Sequence, residues 1–225
     1  MSEFKYSGGE NLEVMSLARN YNNDIFKFII KNINKESNVL EFGAGKGEYC
    51  NRLVGSFDTE VVELDGEYFK FLLCKNKYSR ISETNKKYDL IYCINVLEHI
   101  ENDMQILLEF YDHMKENATL KLFIPARKEI FSSMDKLEGH YRRYTKKSIY
   151  KLLTESGFEI NKCEYFDMIG YFATLIYKLS GADGTLNKKA FIFYDKVIFP
   201  ISRVLDKLTI GNLIGKNLIV EASRK

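Results

Sequence analysis

No two cysteines of this chain form a C-x-x-C pair: Cys50, Cys74, Cys93 and Cys163 are scattered. That spacing excludes a zinc knuckle and a disulfide framework, and isolated thiols in apolar contexts fit a reduced, cytoplasmic protein. Proline is scarce, with two residues, and the 14 glycines are too few for long disordered linkers. Repeats and low-complexity tracts are absent as well. No apolar run approaches the ~18 residues of a membrane span, and Met1-Ser2-Glu3-Phe4-Lys5 lacks the apolar stretch of a signal peptide. A soluble protein is expected. An excess of one charge is missing too. Lys+Arg 33 against Asp+Glu 31 gives no general electrostatic case for a nucleic-acid binder, although a local patch is compatible with it. The 225 residues, 45% hydrophobic and 28% charged, suit one globular domain with a sizeable core.

The most informative stretch present is Asn38-Val39-Leu40-Glu41-Phe42-Gly43-Ala44-Gly45-Lys46-Gly47-Glu48-Tyr49, a buried strand running into a glycine-rich turn and a helix. A P-loop needs Ser or Thr after its lysine, and Gly47 stands there. A dinucleotide fingerprint needs a third glycine where this chain has Glu48, a carboxylate where the pyrophosphate would meet the helix. What remains is G-x-G-x-G with Glu41 two residues before it. An acidic strand end, Val61-Val62-Glu63-Leu64-Asp65, follows one βα unit later and could accept bonds from both ribose hydroxyls. Together these mark a nucleoside-containing cofactor; a tight turn with no ligand is the bland alternative.

Helical spacing over 11–34 predicts a leading helix. Strands are predicted at 38–42, 59–64, 77–82 (abbreviated), 88–94, 119–125, 158–165 and 217–222. Helices are predicted at 46–54, 66–77, 101–116 and from an N-cap at Thr145 to Gly157. This alternation gives an α/β fold with a parallel sheet covered on both faces. Ligands in such folds sit beyond the carboxyl ends of the strands, where the glycine turn, Glu63 and Asn95 all fall.

The turn and Glu41 resemble the first motif of class I S-adenosylmethionine-dependent methyltransferases, E/D-x-G-x-G-x-G. Tyr88-Asp89-Leu90-Ile91-Tyr92 with Asn95-Val96-Leu97-Glu98-His99-Ile100 resembles the family's block at strand 4, and Glu63-Leu64-Asp65-Gly66-Glu67 its ribose-binding segment. The resemblance implies a Rossmann-like seven-stranded, mostly parallel sheet with the last strand antiparallel and a helical insertion between strands 6 and 7. It implies one methyltransferase domain: an N-terminal helical lid (1–36), a cofactor-binding core (37–167), an insertion or acceptor cap (168–215) and the last strand (216–225). The cofactor would be S-adenosyl-L-methionine, leaving S-adenosyl-L-homocysteine. Its binding residues would be Tyr21, Glu41, Gly43, Ala44, Gly45, Glu63, Leu64, Asp65, Asn95 and Val96, with Ile81 and Ser82 near the adenine. The segment from Glu63 to Asp89 is short for the family.

A second block, Pro125-Ala126 through Asp135 to Gly139-His140-Tyr141-Arg142-Arg143-Tyr144-Thr145, resembles a bacterial subgroup with a G-H-x-R-R-Y-T segment, associated with glycan or surface-polysaccharide biosynthesis. His140 is the expected general base for an attacking hydroxyl or amine. Arg142, Arg143 and Tyr144 are the expected acceptor-binding residues; the alternative is that His140 and the arginines tie the loop down with Asp135. Some relatives hold a divalent metal with Glu-x-x-Glu-His and a distant His; here Asn95 replaces the first Glu, and no metal is expected, Glu98 and His99 serving as hydrogen bonders. His113 is expected to be solvated. The aromatic stretch after Asp167 is expected to pack as core, with an acceptor lid, a dimer face or a lipid dock as alternatives; Lys188, Lys189 and Lys207 would suit a weak membrane contact.

The expected activity is methyl transfer to an oxygen, with nitrogen as second choice, of a small-molecule or sugar-like acceptor, in a monomer or homodimer. The alternatives are an RNA methyltransferase, a non-catalytic cofactor-binding module and, more weakly, an NAD-dependent enzyme.

Overall fold

The structure, a computed structural model, describes residues 9–209 and 213–225. The start of the expected lid and positions 210–212 of the expected cap lie outside the described residues. Apolar runs of strand length set the frame: β1 (Asn38–Phe42), β2 (Asp58–Val62), β3 (Lys77–Tyr78), β4 (Tyr88–Ile94), β5 (Met114–Pro125), β6 (Phe158–Phe166) and β7 (Asn217–Arg224). They form one sheet of order β3-β2-β1-β4-β5-β7-β6. Pairing is parallel from β3 to β5, while β7 runs antiparallel between β5 and β6. This is the expected sheet, last strand included.

Alternate residues of the central strands enter two different cores, as a sheet covered on both faces requires. Leu40, Ile91 and Cys93 join Leu107 and Phe110 of α4 (Asp103–Asp112) and Ile149 and Leu153 of α6 (Lys146–Glu155). Val39, Leu90 and Tyr92 join Ile25 and Ile29 of α2 (Arg19–Ile30), Leu53 of α3 (Cys50–Leu53) and Phe199 of α9 (Phe199–Leu208). Further helices, α5 (Ser133–Leu137), α7 (Met168–Leu179) and α8 (Lys188–Phe193), follow β5 and β6.

The single leading helix expected over 11–34 is in fact two, α1 (Gly9–Met15) and α2. Asn22 explains the break: its amide donates to the Met15 carbonyl at 3.1 Å, closing the end of α1, while Ala18 leaves helical geometry. The helix expected at 46–54 shortens to α3, because Gly47 (φ 81) holds the chain in a turn and Glu41 accepts the Cys50 N–H at 2.9 Å. The helix expected at 66–77 is a 3-10 turn, Gly66–Phe71. Asn51 ends it by accepting from the Leu73 N–H at 2.7 Å and donating to the Phe71 carbonyl at 2.8 Å.

Two buried polar anchors position the outer helices. Lys121, on β5, donates to the carbonyls of Phe28 at 3.0 Å, Ile29 at 2.9 Å and Lys31 at 2.5 Å, so a cation closes the carboxyl end of α2. Asp167, at the end of β6, accepts from the Gly170 N–H at 3.0 Å, Ser202 at 2.8 Å and Tyr194 at 2.5 Å, fixing α7 to α9. Among the described residues no helix is long and apolar enough to cross a membrane.

Candidate active site

The glycine turn leaves β1 at the carboxyl edge of the sheet. Gly43, Gly45 and Gly47 have φ of 78, 51 and 81, the left-handed region that a Cβ disfavours. At Gly43 the limit is also steric, since a Cβ there would lie 2.3 Å from Val96 Cγ2. Asn95 also takes a left-handed conformation, φ 51, and donates its N–H to the Phe123 carbonyl at 2.7 Å. Glu63, buried just after β2, accepts from the Gly45 N–H at 2.6 Å and the Asp65 N–H at 2.9 Å. Burial raises its pKa against those amide bonds. Asp65 in turn accepts from the Glu67 N–H at 3.0 Å. Gly43, Ala44, Gly45, Glu63, Asp65, Asn95 and Val96 therefore meet at one edge.

The other expected cofactor residues sit differently. Glu41 is buried beneath the turn, accepting from Cys50 N–H at 2.9 Å and Tyr92 Oη at 3.0 Å, and burial pushes its pKa up to about 8. Tyr21 packs edge-on against Phe123 and Phe166, and its hydroxyl accepts from Asn217 at 2.5 Å. Leu64 is exposed, Ile81 is buried and Ser82 is exposed. Helix α1 crosses the turn: Glu13 pairs with Lys46 at 2.7 Å, and Leu12 would meet a Cβ at Gly45 at 3.7 Å.

Beyond Val96 the chain passes through a 3-10 turn, Leu97–His99, to a cluster of titratable groups. His140 Nδ1 lies 2.8 Å from Asp135 Oδ1, and its Nε2 lies 3.3 Å from Glu138 and 3.9 Å from Glu98. Burial opposes protonation of His140, but the Asp135 hydrogen bond and the charges of Glu98 and Glu138 outweigh it and raise its pKa. Asp135, desolvated yet bonded to His140 and beside Arg143, is held down to about 2. His99 stands edge-on to His140, ring centroids 4.6 Å apart, and burial followed by the His140 charge drops its pKa to about 4. Glu98 is fully buried, neither carboxyl oxygen has a hydrogen-bond partner, and burial lifts its pKa to about 7. Ligand atoms of Glu98, His99 and His140 all lie within 4.8 Å of one another, a spacing that one cation could bridge.

The expected acceptor-binding residues hold this loop in place. Arg143 is buried, donating to Asp135 at 2.8 Å and the Ala126 carbonyl at 3.2 Å. Tyr144 donates to Asp103 at 2.9 Å. Arg142, less buried, pairs with Asp103 at 2.7 Å and donates to the Glu101 carbonyl at 2.8 Å. A pocket of about 310 Å³ is lined by Arg142, Arg143 and Tyr144 together with Asp103, Lys128 and Lys151, while neither His140 nor the glycine turn reaches it. His113, expected to be solvated, instead bonds the carbonyls of Glu109 at 2.8 Å and Thr84 at 3.2 Å.

Sequence reasoning missed Glu138 and Asn11. Asn11 on α1 donates to Glu138 Oε1 at 3.0 Å and to the Gly184 carbonyl at 3.1 Å, joining α1 to both the His140 loop and the segment before α8. A signal for α5, which carries this loop, was available: Ser132-x-x-Asp135 has capping-box spacing, and both reciprocal bonds form.

A family model described as a methyltransferase domain matches residues 16–162, from the approach to α2 to the middle of β6. The chain belongs to the methyltransferase domain family. Curated relatives of this methyltransferase domain include the ubiquinone biosynthesis O-methyltransferase of Rickettsia canadensis, 32% identical over 93 residues, covering 36% of this chain and 39% of that protein. Its counterpart in Rickettsia typhi is 27% identical over 139 residues, covering 56% of this chain and 54% of that protein. The chain thus spans about half or less of the length of the curated relatives it matches. Among solved structures, a SAM dependent methyltransferase from Archaeoglobus fulgidus superposes with a TM-score of 0.60 at 17% identity, covering 92% of this chain and 94% of that one. At that identity the likeness speaks for the fold alone.

Proposed function

We propose that this methyltransferase domain transfers the methyl group of S-adenosyl-L-methionine to an oxygen of a small-molecule acceptor. The observation that carries it is the direct continuity between the glycine cradle and the Asp135–His140 pair, joined by residues 95–99. The cradle fits a nucleoside cofactor without phosphates. Gly43, Gly45 and Gly47 hold the left-handed turn, with Val96 packed where a Gly43 Cβ would stand; the buried carboxylates of Glu63 and Asp65 stand at the ribose side, and Glu48 sets a carboxylate where a pyrophosphate would meet the turn. When bound, the cofactor supplies an activated methyl on a sulfonium, a good leaving group.

The protein's own work is then positional and acid–base. Holding the acceptor hydroxyl in line with the methyl supplies most of the rate. His140, oriented through Nδ1 by Asp135, accepts the hydroxyl proton at Nε2. Glu98 and Glu138 then stabilise the imidazolium so formed. Arg143 and Tyr144 keep the loop in register, and Arg142 is left nearest the acceptor's entrance. Tyr21 and Glu41 support the cofactor from within, while Leu64, Ile81 and Ser82 edge the adenine side. The names of the Rickettsia relatives favour an oxygen over a nitrogen acceptor. A sugar-like acceptor in cell-surface glycan biosynthesis is proposed on the G-H-x-R-R-Y-T segment.

His140→Ala should lower kcat by about 10²–10⁴-fold while the Kd for S-adenosylmethionine stays within about twofold. Single-turnover assays on labelled sugar and phenolic acceptors, paired with calorimetry, test this. An unchanged rate rejects the base, and binding of NAD in place of S-adenosylmethionine rejects the cofactor. A second reading rests on Glu98, His99 and His140 meeting within 4.8 Å: a divalent cation there would polarise the acceptor hydroxyl. Loss of turnover on chelation and its return with added metal would select that reading.

A further inference from the structure

Apolar side chains left in solvent by the helices between β6 and β7 follow helical spacing. On α7, Phe172, Ile176 and Leu179 are exposed by 50%, 68% and 77%. Steps of four and three residues put them on one face. From α8 through the π-helical turn Tyr194–Ile198 into α9, Phe193, Val197, Ile201, Val204 and Leu208 are 45% to 75% exposed at the same spacing. α9 packs through its other face, where Phe199, Ser202 and Asp206 are buried. The two helices lie against each other, bound through Ser202 and Asp206 to the start of α7. These stripes are therefore neither core nor scattered single residues.

The charges around them are one-sided. From 168 to 209 the exposed charged residues are Lys178, Lys188, Lys189, Lys196 and Lys207, against one exposed acid, Asp183. The remaining acids, Asp195 and Asp206, are buried and engaged, Asp195 by the backbone amides of Asn20 and Tyr21 and Asp206 by Arg203. The chain as a whole is close to neutral, at +2, so the basic character is concentrated here. A second copy of this surface would bring lysines against lysines. An anionic bilayer answers both features, since its acyl boundary takes the apolar faces and its phosphates the ammonium groups.

We propose that α7 and the α8–α9 helix form a docking face for anionic lipid membranes. The face hangs from Asp167 at the carboxyl end of β6, the sheet edge that also carries the candidate active site. It does not rest on the reaction proposed above and holds for any activity of that site.

The test is cosedimentation of the full chain with vesicles of phosphatidylcholine alone and of phosphatidylcholine mixed with phosphatidylglycerol. Binding to the mixed vesicles should be at least about tenfold stronger and should weaken as salt rises. The pair Ile176→Ser and Val204→Ser removes only solvent-exposed side chains, so its thermal midpoint should match the parent's while vesicle binding falls at least about tenfold. Lys188→Glu with Lys189→Glu should lose the preference for phosphatidylglycerol. Failure to sediment with either vesicle, or variants that bind like the parent, would overturn the proposal. So would a parent dimer in sedimentation velocity that the serine pair dissociates, because the second copy would then be the occupant.

Discussion

His140 is held between three carboxylates and one neutral imidazole, and that surrounding sets how it should titrate. A histidine with a raised pKa is protonated over more of the neutral range. As a general base it must be neutral. The kcat–pH profile should therefore rise through a midpoint above about 6.5 rather than at or below it. Asp135→Asn removes the hydrogen bond and one charge, so it should move that midpoint down as well as lowering kcat; a profile that does not move would remove Asp135 from the role. Gly43 offers a different residue-scale test. Gly43→Ala meets Val96 at 2.3 Å in a left-handed backbone, so it should cost about 2 kcal/mol of stability in chemical denaturation. Adding Val96→Ala should return part of that loss by clearing the contact, but not the part stored in the backbone.

At the scale of elements, α2 depends on a side chain from another element. Lys121 is buried with its stem in the sheet and its ammonium on three carbonyls, and burial brings its pKa down to about 8. Lys121→Met keeps the volume and removes the donors, so α2's last carbonyls lose their partner. The expected cost is about 2 kcal/mol, with faster amide exchange confined first to α2. None of this is legible in the sequence. Leu120-Lys121-Leu122 reads as ordinary strand alternation with a solvated lysine, and its partners lie far upstream. The strands themselves were legible, because continuous apolar runs bounded by turns have few other uses. The break between α1 and α2 was not, since it turns on one amide of Asn22 reaching Met15 against a helical pattern that continues across it. The candidate site divides in the same way. Glycines 43 to 47 and His140 stand out by residue type, while Glu98's unpartnered carboxyl and the Glu138 contact exist only once distant loops meet.

For the whole molecule, the perturbed groups predict a sloping dependence of stability on pH. Glu41, near 8, Glu98, near 7, and His140, raised, keep protons in the folded state that the unfolded chain releases earlier. Their contributions are complete below their unfolded pKa values and are lost as pH rises through the folded ones. His99, near 4, acts oppositely: its contribution is present above about 6.5 and is lost as pH falls toward 4. Asp135, near 2, likewise contributes above about 3.9 and loses it toward 2. The melting temperature should therefore decline from about pH 6 to pH 8, above which Lys121, near 8, opposes further loss, and fall again under acid. A flat profile from about pH 6 to 8 in calorimetry would contradict the buried, protonated carboxyls.

Helix α1 lies over the glycine turn through Leu12 and Glu13, and through Asn11 it also holds the His140 loop and the segment before α8. Donor and acceptor would then share a single door. Steady-state kinetics should be ordered rather than random, with the demethylated donor departing last and inhibiting competitively only against fresh donor. Asn11→Ala, which removes α1's bonds to Glu138 and to the Gly184 carbonyl, should speed that final departure and so raise kcat wherever release limits turnover.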